Sequence, residues 1–119
     1  MLGLFKKKIK MYKDIQPEEF DQLMQQDDAV VLDVRTEGEI YDGVIEGYKL
    51  INLYNPHFME EIQKLDKSKT YLIYCRSGNR SGMACGLMAQ MGFEKLYNLE
   101  GGMFSWSHYQ RMKKVAVNN

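Results

Sequence analysis

The stretch Thr70-Tyr71-Leu72-Ile73-Tyr74-Cys75-Arg76-Ser77-Gly78-Asn79-Arg80-Ser81 decides the fold of this chain. Its first five residues predict a short buried strand over 70–74. A cysteine follows the strand, then a turn that contains Gly78, and then helical periodicity over 81–91. A strand, a tight turn and a helix in this order can aim several backbone N–H groups at the cysteine sulfur, and the helix adds the positive end of its dipole. Such surroundings lower the pKa of a thiol, so Cys75 is predicted to be a nucleophile.

Outward from this stretch, short apolar runs alternate with segments of helical periodicity. Alternation of this kind predicts a mainly parallel sheet with helices on both faces. Ligands of such sheets bind at the carboxyl ends of the strands, and Cys75 occupies one of those ends. The predicted elements are a helix opening at Pro17, a strand over 29–34, a short helix over 36–41 with Thr36 and Glu39 as a capping box, a strand over 50–53, a helix opening at Asn55-Pro56, the helix over 81–91 with Gly92 after its end, a strand over 96–99, and a last helix opened by Gly101-Gly102.

The composition is that of an ordinary globular domain, with 119 residues, 45% hydrophobic and 27% charged. A formal net charge of zero gives no argument for a nucleic-acid partner. Five lysines and one aspartate fall within residues 1–14, so we expect a basic N-terminal segment over 1–12 and a single domain over 13–119. The basic segment is predicted to be a solvated tail or strand edge, with contact to anionic lipid or an acidic partner as the alternative.

The expected cellular location and metal content are inferred from patterns that the sequence lacks. The start of the chain lacks the order of a secretory signal, and no apolar run approaches the roughly 20 residues that span a bilayer. Two cysteines make no disulfide framework, so a cytoplasmic protein is expected. A zinc site from Cys75, Cys85, His57 and His108 would lack closely spaced ligand pairs. We therefore expect no metal and no cofactor.

Four features together resemble a rhodanese domain. They are Asp33-Val34-Arg35 with Glu39, the loop over 75–81, Gly92-Phe93, and Gly101-Gly102 with Trp106, and they span roughly residues 13–112. The resemblance implies an α/β fold with a mainly parallel sheet of about five strands flanked by helices on both faces. It also implies movement of sulfane sulfur through a cysteine persulfide. One departure is Val44, which stands where family members often have a histidine.

The implied active site has Cys75 as the catalytic nucleophile and persulfide carrier. The backbone amides of the following loop would bind the anion, and they belong to Arg76, Ser77, Gly78, Asn79 and Arg80. The two arginine side chains would attract an anionic donor. For Arg80 an alternative is pairing with a carboxylate.

Three other residues near this site each have a structural and a functional interpretation. Asp33 and Arg35 are predicted to form a structural ion pair or loop brace beside the site, with a catalytic role as the alternative. Cys85 is predicted to pack in the core, with a redox or resolving role as the alternative.

The expected reaction takes sulfur from a small anionic donor such as thiosulfate and gives it to a thiol, cyanide or a protein cysteine. One alternative is a persulfide relay or redox-sensing module that acts on a partner protein's thiol. A weaker one is a small cysteine phosphatase or arsenate reductase. Cysteine phosphatases use Cys-x₅-Arg, whereas Arg80 is the fifth residue after Cys75 and Ser81 is the sixth. The spacing therefore favours sulfur over phosphate.

Overall fold

The sheet is built from five short strands, all parallel. The computed structural model describes residues 10–118, so most of the predicted basic segment lies outside the described residues. The strand order is β1-β5-β4-β2-β3, which places β4 at the centre. The parallel α/β class predicted from the sequence is confirmed. The strands are β1 (Lys13–Ile15), β2 (Ala29–Asp33), β3 (Lys49–Leu50), β4 (Thr70–Tyr74) and β5 (Lys95–Leu99).

Helices cover both faces of the sheet, and each face has its own apolar core. Phe58 and Met88 pack in the core of one face, whereas Phe20 and Trp106 pack in the core of the other. No helix within residues 10–118 is long and apolar enough to cross a membrane. The helices are α1 (Pro17–Leu23), a 3₁₀ helix (Glu37–Asp42), α2 (Phe58–Gln63), α3 (Asn79–Gln90) and α4 (Gly102–Asn118).

The central strand β4 is buried along its whole length. Because successive side chains of a strand point to opposite faces, Tyr71 and Ile73 enter the core of α2 and α3, while Leu72 and Tyr74 enter the core of α1 and α4. A strand buried on both faces explains the continuous apolar run in the sequence. Cys75 continues this alternation into the α3 side of the sheet.

The elements predicted between residues 50 and 58 are wrong in their bounds. The strand predicted over 50–53 is a regular partner of β2 only at Lys49–Leu50. The N–H groups of Ile51 and Leu53 still donate to the Asp33 and Val34 carbonyls at 2.9 and 3.0 Å. The Asn52 Oδ1 atom accepts a hydrogen bond from the Tyr54 N–H at 2.9 Å, and this bond turns the chain there. The helix predicted to open at Asn55-Pro56 begins at Phe58, because the Asn55 Oδ1 atom accepts from the His57 N–H at 2.8 Å and makes a second turn.

The helix predicted over 81–91 begins two residues earlier, at Asn79. Gly78 has φ 101° and serves as the N-cap residue. A glycine adopts this left-handed conformation without steric cost, so the chain can turn sharply from the loop into the helix. Ser81 therefore lies inside the first turn of α3 rather than at its start.

Candidate active site

The site lies where β2 and β4 end side by side. Asp33 and Tyr74 are opposite each other in the parallel register, and the Val34 N–H donates to the Tyr74 carbonyl at 3.1 Å. Parallel strands bring their carboxyl ends to one edge of the sheet. Asp33-Val34-Arg35 and the loop that follows Cys75 are therefore neighbours, although about 40 residues separate them in the chain.

Three hydrogen-bond donors converge on the Cys75 sulfur. The Gly78 N–H lies 3.1 Å from Sγ, the Ser81 N–H 3.4 Å and the Ser81 hydroxyl 3.2 Å. Two of these donors come from the first turn of α3, whose dipole is positive at this end. The loop therefore holds a sulfur anion from several sides.

These contacts change the acidity of the thiol. Burial raises the pKa of Cys75, but hydrogen bonds from the Ser81 hydroxyl and from the N–H groups of Ser81, Gly78 and Ser77 outweigh it and leave the pKa below its ordinary value. Cys85 lies in the same core without such donors, so burial raises its pKa far above the ordinary value. The two thiols thus differ in reactivity, and Cys75 is the one suited to nucleophilic chemistry.

The start of α4 holds the outer side of the loop. The Met103 N–H donates to the Cys75 carbonyl at 2.9 Å, and the Phe104 N–H donates to the Arg76 carbonyl at 3.3 Å. In a trans peptide the C=O and N–H groups point in opposite directions. Because these two carbonyls turn toward α4, the N–H groups of Arg76 and Ser77 turn to the opposite side.

Gly102 makes this close approach possible. A Cβ atom added there would lie 2.5 Å from the Arg76 and Cys75 carbonyl oxygens, and Gly102 has φ +55°. Only a residue without a side chain fits at this position. The Gly101-Gly102 pair predicted to open the last helix is therefore also part of the wall of the site.

A second anchor holds the turn at Gly78. The Asn98 amide donates from Nδ2 to the Gly78 carbonyl at 3.1 Å and to the Asp14 Oδ1 atom at 2.9 Å. Asn98 is buried on β5 and Asp14 lies on β1. Two strands thereby fix the residue whose N–H faces the sulfur.

The Arg80 side chain is occupied by a carboxylate. Its Nη1 and Nη2 atoms lie 2.7 and 2.8 Å from the two carboxylate oxygens of Glu39. Hydrogen bonding from Arg80, helped by Thr36, holds the pKa of Glu39 at about 2. Of the two readings of the Arg80 side chain, the structure shows the pair with a carboxylate.

Asp33 and Arg35 form a buried ion pair, with Arg35 Nη2 and Asp33 Oδ2 2.8 Å apart. Arg35 also donates to the Glu39 carbonyl at 3.2 Å and to the Gly43 carbonyl at 2.7 Å. The Tyr74 hydroxyl donates to Asp33 Oδ2 at 2.9 Å. The pair therefore braces the segment that carries Glu39, and through Glu39 it supports Arg80.

The remaining predicted residues lie at the rim. The side chains of Arg76, Ser77 and Asn79 are exposed, and Val44 is exposed beside the Gly43 carbonyl.

Sequence reasoning missed Ser81, which supplies two of the three donors. Its signal was a hydroxyl residue within the first turn of a helix that directly follows the cysteine loop. Within residues 10–118 no group of three or more His, Cys, Asp or Glu is placed to hold a metal.

A comparison with known families identifies the class of protein. The family model described as Rhodanese-like domain matches residues 16–109. The chain belongs to the rhodanese-like domain family. The family named by resemblance in the sequence is therefore confirmed.

Individual relatives agree with this assignment. A protein named sulfurtransferase from Allochromatium vinosum is 36% identical over 101 residues, which cover 83% of this chain and 92% of the relative. A tRNA uridine(34) hydroxylase from Cytophaga hutchinsonii is 36% identical over 97 residues, and this chain spans only 31% of its length. The crystal structure of a rhodanese-related protein from Thermoplasma volcanium superposes with a TM-score of 0.73 at 28% identity, covering 82% of this chain and 93% of the other.

Proposed function

We propose that the protein is a sulfurtransferase that carries sulfane sulfur as a persulfide on Cys75. The observation that carries the proposal is the convergence of three donors on the Cys75 sulfur at 3.1 to 3.4 Å. The relative named sulfurtransferase, which this chain matches over most of both lengths, supports the same class of reaction.

In the first half of the proposed cycle, thiosulfate is the donor. The Cys75 thiolate attacks the outer sulfur of thiosulfate, a new S–S bond forms, and the S–S bond of thiosulfate breaks. The electron pair of the broken bond leaves with sulfite, so no proton has to be supplied. This suits a loop without histidine, since neither His57 nor His108 lies within 75–81. The product is the anion Cys75–S–S⁻.

In the second half an acceptor removes the terminal sulfur. Cyanide or a thiolate attacks that sulfur, the bond from the acceptor to sulfur forms, and the S–S bond to Cys75 breaks. Its electron pair returns to Cys75 as the thiolate, which the loop stabilises again. The products are thiocyanate from cyanide or a new persulfide anion from a thiolate. Two half-reactions on one group predict ping-pong kinetics.

The backbone amides of the loop are proposed to hold the persulfide. A second sulfur extends the Cys75 side chain by about 2 Å and keeps one negative charge. The N–H groups of residues 76–80 are the proposed donors to it, in the manner of an oxyanion hole. The Ser81 hydroxyl, which already donates a hydrogen bond to Sγ, is proposed as a further donor to the persulfide. The exposed Arg76 side chain supplies positive charge where the donor arrives.

Access to the sulfur requires motion at the rim. The Cys75 residue is 0% exposed, so we propose that neighbouring side chains move when a donor reaches Sγ. Burial also keeps bulk water from the persulfide, which protects it between the two half-reactions.

We also propose a cytoplasmic location, because reducing conditions keep Cys75 and Cys85 as free thiols, as they are in the structure. Residues 13–119 are proposed to act as one domain, with 1–12 as a separate basic segment. The phosphatase alternative is disfavoured because the sixth position after the cysteine holds the neutral Ser81 instead of an arginine. The Ser81 hydroxyl donates a hydrogen bond to the sulfur.

Steady-state kinetics test this function. With thiosulfate and cyanide both varied, we expect parallel lines in double-reciprocal plots for the wild type. Cys75→Ser should have no activity, whereas Cys85→Ala should retain it. Intersecting lines, or activity that survives Cys75→Ser, would exclude a persulfide cycle on this residue. Fast transfer to a protein thiol with slow use of thiosulfate would favour the relay alternative.

A further inference from the structure

One polar side chain in the core beside α3 has no part in the cycle described above. Asn98 lies on β5 and is only 5% exposed. Leu96, two residues earlier on the same face of the strand, packs in the apolar core that also contains Cys75. Strands disfavour asparagine, and a buried amide lowers stability unless its polar atoms are hydrogen-bonded. The burial of Asn98 therefore has to be explained by its contacts.

The Asn98 amide is held in one orientation by two acceptors. Its Nδ2 atom donates to the Gly78 carbonyl at 3.1 Å and to the Asp14 Oδ1 atom at 2.9 Å. Its Oδ1 atom is buried and has no hydrogen-bond partner within residues 10–118. Turning the amide over would place Oδ1 against both acceptors, so the N–H groups must face them. The residue thus satisfies its two donors and leaves its acceptor unpaired, which indicates that donation is its role.

The Gly78 carbonyl is the point at which Asn98 acts on the loop. This carbonyl also accepts the Gly82 N–H at 3.1 Å, so it points along α3 as a helical carbonyl does. The Asn79 N–H belongs to the same trans peptide group and points the opposite way, out of the N-terminal end of the helix. The Ser81 N–H of the same turn reaches the reactive sulfur at 3.4 Å, so this end of the helix faces the sulfur. Asn98 therefore fixes the direction of an N–H group that is a proposed donor to the persulfide.

The turn at Gly78 packs closely against the end of β5. A Cβ atom added to Gly78 would lie 3.2 Å from the Gly101 N atom and 3.3 Å from the Leu99 carbonyl oxygen. The turn is therefore in direct contact with the end of the strand that carries Asn98. A change in the Asn98 side chain reaches the turn through a single hydrogen bond.

Asp14 holds the other side of the amide. It lies opposite Asn98 in the parallel register of β1 and β5, and its carboxylate also accepts a hydrogen bond from the Lys10 ammonium group. A hydrogen bond to a charged carboxylate is stronger than one between neutral groups. Asp14 thereby keeps one N–H of the amide engaged, and the other N–H stays aimed at the Gly78 carbonyl.

We propose that Asn98 is a positioning residue for sulfur transfer, and that Asp14 positions Asn98. Asn98 holds the peptide group between Gly78 and Asn79 so that the N–H groups of both residues are aimed at the sulfur anion, first the Cys75 thiolate and then its persulfide. Neither Asn98 nor Asp14 touches the reacting atoms. The persulfide part of this inference rests on the proposed sulfur transfer, whereas the effect on the thiolate does not.

Asn98→Leu tests the position of the amide, because it removes both donors and keeps the side chain close in size. The pKa of Cys75 should rise by about 0.5 to 1 unit, since the Gly78 N–H is no longer held against the sulfur. At a pH where the thiolate is fully formed, kcat/KM for thiosulfate should still fall about fivefold, the usual effect of one lost hydrogen bond. Ultraviolet titration in a Cys85→Ala background and steady-state kinetics measure the two changes.

Thr70→Val is the matched control. Thr70 is 2% exposed at the start of β4, and its hydroxyl donates to Asp28 at 2.8 Å at the opposite end of the sheet from the site. This variant should also lower the thermal stability, but it should leave the pKa of Cys75 and kcat/KM unchanged. Equal changes in both variants would show that they follow from general destabilisation and would overturn the positioning role.

Variants of Asp14 test the second link. Asp14→Ala should change the pKa of Cys75 and kcat/KM in the same direction as Asn98→Leu but by less, and Asp14→Asn, which keeps an oxygen acceptor for the amide, should lie closer to the wild type. Asp14→Ala combined with Asn98→Leu should be no worse than Asn98→Leu alone, because the two residues act through one contact. Losses that multiply would show that Asp14 acts independently and would overturn this link.

The failure of this inference is distinguishable from that of the proposed function. If Asn98→Leu folds and keeps the wild-type pKa of Cys75 and the wild-type kcat/KM, the positioning role is wrong while sulfur transfer on Cys75 is unaffected. If the pKa rises as predicted but the wild type gains no sulfur from thiosulfate, the sulfurtransferase proposal is wrong and Asn98 remains a positioning residue for the thiolate. If Asn98→Leu does not fold, Asn98→Ala gives the same comparison with a smaller side chain.

Discussion

At the scale of single residues, the pairing of Cys75 with Ser81 sets the chemistry of the loop. The Ser81 hydroxyl is 3.2 Å from Sγ, and its N–H is 3.4 Å away. Because Ser81 is fully buried, its hydroxyl has no competition from water. Burial by itself would raise the pKa of the thiol, and these contacts outweigh it and leave the pKa below its ordinary value.

Ser81→Ala should raise the pKa of Cys75 by about one unit, since it removes one hydrogen bond to a charged group worth about 1.5 kcal/mol. The pH profile of the reaction with thiosulfate should shift toward higher pH by the same amount, because activity grows as the thiolate forms. Ultraviolet titration of the thiolate in a Cys85→Ala background measures the pKa directly.

The control for Ser81→Ala is Ser77→Ala, which removes an exposed hydroxyl from the same loop and leaves the backbone N–H in place. It should leave the pKa of Cys75 unchanged. An unchanged pKa in Ser81→Ala would show that the backbone amides alone stabilise the thiolate.

Glu39 is the second residue whose charge shapes the site. Glu39→Gln should destabilise the protein by about 2 kcal/mol near pH 7, because it leaves the mostly buried Arg80 without its charged partner. The Arg80 hydrogen bonds lower the pKa of Glu39 from 4.5 to about 2, so the stabilising contribution of its ionised form is complete above pH 4.5 and is lost as the pH falls toward 2.

Urea unfolding at several pH values measures this contribution. The gap in the free energy of unfolding between wild type and Glu39→Gln should narrow between pH 4.5 and 2. A gap that stays constant with pH would mean that the charge of Glu39 does not contribute. Glu46→Gln, an exposed carboxylate with no ion pair within residues 10–118, should show almost no gap at any pH.

At the scale of elements, the contact between the cysteine loop and the start of α4 controls the shape of the site. Gly102→Ala should destabilise the protein by about 3 kcal/mol or more and abolish sulfur transfer. Its Cβ would lie 2.5 Å from two carbonyl oxygens of the loop, and its backbone has φ +55°. Thermal unfolding and thiosulfate turnover measure the two effects.

Gly86→Ala is the matched control, because a Cβ added there meets nothing within 4 Å and Gly86 lies inside α3. It should stabilise the protein by about 0.5 to 1 kcal/mol and keep activity. If both variants behave alike, the close approach at Gly102 is not what shapes the loop.

The elements differ in how far the sequence predicted them. The strand over 70–74 and the capping box of Thr36 and Glu39 were predicted correctly, because both depend on neighbours in the chain. The start of α3 was placed two residues late, since a glycine N-cap gives a weaker signal than Ser, Thr or Asp. That shift is why the role of Ser81 was missed.

At the scale of the whole molecule, the site depends on contacts that no local pattern shows. Glu39 and Arg80 are 41 positions apart, and Asp14 and Asn98 are 84 apart. These pairs meet because the parallel sheet brings β1, β5, β4 and β2 together in one order. The sequence located the cysteine and its loop, but only the fold could show which charges are already paired, such as Arg80 with Glu39.

The whole fold also separates the two cysteines. Both cysteines are 0% exposed and lie in the same core. Cys75 ends the central strand among hydrogen-bond donors, whereas Cys85 packs under α3 without them. Because burial raises the pKa of Cys85 far above its ordinary value, we expect one reactive sulfur in the native molecule rather than two.

Intact-mass analysis after incubation with thiosulfate shows whether Cys75 carries the transferred sulfur. The wild type should gain the mass of one sulfur atom, and cyanide should remove it. Cys85→Ala should gain the same mass, and Cys75→Ser should gain none. A wild type that takes up no sulfur from thiosulfate or from other persulfide donors, or a Cys75→Ser variant that still does, would contradict the claim that Cys75 carries the sulfur.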